Sequence, residues 1–221
     1  MKLLKKDNKG LVTFTMMAAG AALLLSGCGT TKGYKQADKT GVGIAEFRDE
    51  ITKGKTAIDA TMKSLSDVAA TANTDPRKAF KQFSEDVADL QSSAEKIKAR
   101  AQAMKDQGQA YFKQWEAELN QVNNPEIRTL AEQRRAKLQE TFESIRKVTE
   151  PLKAQFAPWM SDLKDLEKYL ANDLTIAGVD AAKPLFTKTT EGGLEVQKSM
   201  DAVVAELNTL AATITPAGHK E

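Results

Sequence analysis

The chain has 221 residues, with 32 Lys+Arg against 30 Asp+Glu, one histidine and one cysteine. A lone histidine excludes a histidine-based catalytic dyad or metal cluster, and a lone cysteine excludes an internal disulfide framework. Stability must then come from packing, in a chain long enough for one sizeable core.

Residues 1–27 open with a basic head (Lys2, Lys5, Lys6, Lys9) and an apolar run from Leu11 to Leu25. The run is short for a bilayer span and suits the core of a signal peptide. Leu25-Ser26-Gly27-Cys28 resembles the lipobox of bacterial lipoproteins. The resemblance implies that residues 1–27 are removed and that Cys28 carries a thioether-linked diacylglycerol and an acylated amino group. Removal takes away four lysines and Asp7, leaving 28 basic and 29 acidic side chains, or about −1. The electrostatic case for a nucleic-acid partner falls with those lysines. Gly29, not aspartate, follows the cysteine. By resemblance to the sorting rule of enteric lipoproteins, this favours the periplasmic face of the outer membrane. The polar, glycine-containing residues 28–40 read as the lipidated cysteine and a flexible tether reaching roughly 20 Å.

From Gly41 the apolar positions recur at spacings of three and four, the seam of a helix packing on helices. The first seam is Ile44, Phe47, Ile51, Gly54, Ile58, Thr61, Leu65, Val68 and Ala72. The second runs from Phe80 through Val87, Ile97, Gly108, Tyr111 and Trp115 to Val122. The third runs from Ile127 through Arg134, Leu138, Ile145 and Leu152 to Leu170, and the fourth from Val179 to Ile214. These predict helices at about 42–72, 76–122, 125–173 and 177–214, within a bundle spanning 41–215 and followed by a polar tail at 216–221. The fold class is all-α: an elongated antiparallel four-helix bundle with coiled-coil-like heptad packing.

Asp75 before Pro76, Asn124 before Pro125, and Thr175 are the candidate N-caps, with Gly178 as a bend. Pro151 and Pro158, beside an extra step of four in the seam, predict a bend in the third helix. Pro184 and Gly192-Gly193 predict that the fourth helix is the least stable. In the hairpin of the second and third helices, residues whose numbers sum to about 248 should share a height. Gly108 then faces Phe142, and Trp115 nears Arg134 as a candidate cation–π pair or, alternatively, a snorkelling side chain. Outer helices too short for this hairpin would leave its tip projecting at the tethered end. Tyr111, Phe112, Trp115, Arg128, Arg134 and Arg135 mark that candidate interaction tip, with an ordinary packed core as the competing reading.

No catalytic or metal site and no cofactor is predicted. His219 lies in the polar tail, and Gly54-Lys55-Thr56 has Asp49 where a phosphate loop needs glycine. Asp and Glu alternate with Lys and Arg as on a solvated helix face. Tyr111-Phe112-Lys113-Gln114-Trp115-Glu116-Ala117-Glu118-Leu119, Glu150-Pro151-Leu152 and Leu170-Ala171-Asn172-Asp173-Leu174 resemble the domain-of-unknown-function family 2959 of bacterial lipoproteins. That resemblance implies a helical lipoprotein and carries no activity with it. The expectation is a non-enzymatic, lipid-anchored scaffold or interaction module. Its partners are the membrane, through the acyl chains, and an envelope protein; its oligomeric state is open. A bundle that opens at the fourth helix for lipid or another apolar ligand, and an enzyme with an unrecognised acid–base site, are the alternatives.

Overall fold

The computed structural model describes residues 32–214. They form four helices: α1 (Lys32–Thr71), α2 (Arg77–Leu119), α3 (Pro125–Asn172) and α4 (Ile176–Ile214). Cys28, the signal segment and the tail at 216–221 lie outside the described residues. Each helix neighbours two others in a ring, α1·α2 being the closest pair and α2·α3 the loosest. The 48 residues of α3 make a rod of about 70 Å.

Local chemistry sets the breaks. Asn124 is the N-cap of α3, its side chain accepting from the N–H of Glu126 and Ile127, with Pro125 behind it. Thr175 Oγ1 accepts from the N–H of Gly178 at 3.1 Å. At α2 the cap is displaced by one residue. Pro76 occupies the N-cap position in helical conformation, while Asp75 accepts from the N–H of Arg77 at 3.1 Å.

Cross-helix polar contacts fix the antiparallel register. Glu46 pairs with Arg100 across α1·α2 at 2.6 Å, and Lys55 with Asp201 across α1·α4. Gln197 donates to Asp59 at 2.7 Å, and Ser144 to Glu206 across α3·α4 at 2.7 Å. Between these contacts, Ile44, Ile51, Ile58, Leu65, Phe83, Leu163, Val196 and Leu207 fill the core almost completely dry. Each such side chain contributes about 1.5–3 kcal/mol of burial.

Three expectations are corrected. Residues 32–40 are helix, not flexible tether: Ala37 and Thr40 are buried and extend the seam of Ile44 backward at spacings of three and four. Thr40 satisfies its hydroxyl on the Gln36 carbonyl at 2.9 Å. Next, α4 is not a loosely held element, since twelve of its residues are buried. Gly192 and Gly193 make room there for the Trp159 indole, which a Cβ would meet at 2.8 Å and 3.1 Å. The indole N–H donates to the Thr189 carbonyl at 2.7 Å, so a buried polar atom is satisfied in the groove. Gly178 lies in the first turn of α4 rather than at a bend, and glycine fits there because a Cβ would come 2.5 Å from the Asp173 carbonyl oxygen. Pro151 and Pro158 both lie on the exposed face of α3, which continues through them.

Candidate interaction tip

The tip is built where α2 ends and α3 begins. Gly108 and Phe142 meet as their register predicts: a Cβ on Gly108 would lie 2.6 Å from the Phe142 ring. Phe142 also packs edge-on against Phe112, at a centroid distance of 5.2 Å. Tyr111 makes edge contacts with Phe112 at 5.7 Å and Trp115 at 5.5 Å. These rings form a half-buried aromatic layer instead of the aliphatic core found farther along the rod. Burial pushes the Tyr111 hydroxyl above its usual pKa, opposed by the nearby charge of Arg134.

The three arginines are drawn into the fold. Arg128 donates to the Val122 carbonyl at 3.0 Å, closing the hairpin turn. Arg135 pairs with Glu116 across α2·α3 at 3.0 Å, although its buried Nε has no partner. Arg134 donates to the Thr213 carbonyl at 2.6 Å, next to the end of α4. The guanidinium of Arg134 therefore works at α4 rather than on the Trp115 ring.

The first helix is not too short for the hairpin. α1 reaches the tip, where Lys35, Gln36 and Lys39 line a groove of about 520 Å³ with Gln114, Ala117, Glu118 and Gln121. Ile214, the last described residue of α4, is level with Arg134, and α3 begins about 13 Å away at Pro125. Ile127, a predicted seam residue, is 56 % exposed, and Leu130 is 72 % exposed. Sequence reasoning missed the exposure of Leu130. The signal was present in its place one turn before Arg134, close to the start of α3.

Glu118 accepts from the Gln114 amide at 2.9 Å beside a hollow of about 160 Å³ that Tyr111 and Trp115 also line. Elsewhere, a hydrogen bond from Arg77 holds Asp75 at a pKa of about 2, and Lys53 lowers Glu50. Both shifts are opposite to what a general acid needs. Among the described residues no group of three or more His, Cys, Asp or Glu is placed to hold a metal. No helix of the described residues is long and apolar enough to cross a membrane.

A family model described as "Protein of unknown function (DUF2959)" matches residues 30–214. The chain belongs to that family. No curated protein and no solved structure matches it. The DUF2959 match takes in all four helices and ends with the last residue of α4. In this DUF2959 chain the Tyr111–Leu119 stretch, which carried the resemblance, forms the α2 side of the tip.

Proposed function

We propose that this protein is a lipid-anchored, non-enzymatic helical rod at the periplasmic face of the outer membrane, serving as an envelope scaffold or protein-interaction module. The observation that carries the reading is the shortness of the link between Cys28 and the bundle. Only Gly29, Thr30 and Thr31 separate the lipobox-like cysteine from Lys32, the first residue of α1. Even fully extended, the step from Cys28 to Lys32 spans at most about 14 Å. Acyl chains on Cys28 would thus hold the tip end of the rod close to the leaflet and direct the α1–α2 and α3–α4 loops into the periplasm. A rod of about 70 Å presents its flanks to envelope partners along that length.

Opening of the bundle at α4 for an apolar ligand is the weaker alternative, because the supposed flap has Val196, Val203, Leu207 and Leu210 fully buried. Metabolic labelling with a fatty-acid analogue tests the anchor. Label should enter the wild-type chain and be absent from Cys28→Ser, which should also remain unprocessed. Equal label on both proteins contradicts the reading. Photo-crosslinking in cells from exposed positions such as Lys98 and Glu140 should capture a discrete envelope protein; capture of none contradicts the scaffold role.

A further inference from the structure

We propose that the open tip is a second membrane contact, with Ile127 and Leu130 entering the leaflet that holds the acyl chains. The proposal rests on the lipid-anchor reading and extends it from attachment to orientation. Ile127 and Leu130 lie seven and four residues before Arg134, on the stripe of α3 that faces α4. Both lie beyond the level of Ile214, the last described residue of α4, and Leu130 is the most exposed large apolar side chain among the described residues.

Two observations favour a bilayer as the occupant. The first is position. Lys35 and Lys39 of α1 share a groove with the last turns of α2, so α1 begins at this same end, four residues after Cys28 in the sequence. The anchor would keep a leaflet within about 14 Å of the start of α1, at high effective concentration. The second is size. Two aliphatic side chains are far short of the roughly 800 Å² that each partner contributes to a stable protein interface. They suffice for shallow insertion of about 5–10 Å when another group already holds the molecule at the surface. Exposed Lys35, Lys39 and Arg134 are placed at the same end to meet anionic headgroups.

The test uses the mature lipoprotein reconstituted in vesicles of equal parts phosphatidylethanolamine and phosphatidylglycerol. Because Cys28 is the only cysteine and would be blocked by its lipid, an introduced cysteine can be labelled alone. An environment-sensitive fluorophore goes on Gln133→Cys at the tip or on Leu194→Cys, which is exposed on the far half of α4. Brominated lipid should quench the Gln133 probe several-fold more strongly than the Leu194 probe. Changing both Ile127 and Leu130 to serine should abolish that difference while helicity stays unchanged, since both side chains are exposed. Equal quenching at the two positions, or quenching that survives the double change, overturns the proposal. If mass spectrometry shows the chain acylated and vesicle-bound in that case, the anchor reading stands without the tip contact. An unacylated chain that leaves the vesicles overturns both.

Discussion

The two ends of the rod are built from the same four helices and packed in different ways. At the loop end, Trp159, Leu163, Leu166 and Leu170 of α3 are buried within one run, facing α4 residues such as Val179, Ala182 and Phe186 that are just as dry. At the tip, α3 buries Leu138 and then nothing further toward Pro125, while α2 offers half-buried rings. Residue types alone do not explain the difference, because Ile127 and Leu130 are as apolar as Leu163. Coverage explains it. A helix stripe becomes core only where a neighbour packs on it, and Leu130 and Ile127 lie one and two turns beyond Arg134, which is level with the last described turn of α4. Burial along one stripe therefore reports where a neighbour packs on it.

The same substitution at two points on α3 gives the widest contrast. Leu163→Ala removes a fully buried side chain and should cost about 2–5 kcal/mol through lost transfer energy and a cavity. Leu130→Ala should stay within about 0.5 kcal/mol. Urea unfolding of the two variants checks the pair, and comparable losses would break the distinction between the ends.

Glycines sharpen it on a smaller scale. Gly178→Ala pushes a methyl to 2.5 Å from a backbone carbonyl at the loop end, where the obstacle cannot swing away. A loss of about 1–3 kcal/mol is expected, exceeding the roughly 1 kcal/mol that alanine gains over glycine in a helix. Gly108→Ala at the tip meets only the half-buried Phe142 ring, which can tilt. Its loss should be the smaller, read as a lesser fall in melting temperature.

The smallest effect concerns pH. Asp75 is held at a pKa of about 2, below its ordinary 3.8, first by the hydrogen bond from the Arg77 side chain. Its folded pKa is depressed, so its stabilisation is present above about pH 4 and lost as pH falls through about 2. Carboxyl NMR should place the midpoint near 2. A midpoint at the ordinary value would show that the loop contact is not formed in solution.

Much of the architecture was legible in the sequence, and the misses have a common cause. The predicted seam residues of α1 and α4 are all buried, from Ile44 to Ala72 and from Val179 to Ile214. Gly108 opposite Phe142 was readable because a short turn fixes hairpin register. The period names a face, however, and cannot say whether a neighbour reaches it, which is why Ile127 and Arg134 belong to a seam and yet are exposed. Arg134 was paired with Trp115 on height alone, whereas its long side chain reaches the Thr213 carbonyl of α4. The start of α1 was missed because Ala37 and Thr40 carry too little hydrophobicity to mark a seam, although their spacing continues it. Glycine within α4 was read as weakness because propensity is a local quantity; the ring that fills the gap comes from α3, more than thirty residues earlier in the chain.

Hydrogen exchange on the lipid-free chain, produced from Gly29 onward, tests the central claim most directly. Amides of Leu163–Leu170 and Val196–Leu210 should open only with global unfolding. Those of Ile127–Gln133 should exchange orders of magnitude faster, since few tertiary contacts hold the projecting turns of α3. Uniform protection along α3, or a tip slower than the loop end, would contradict the account.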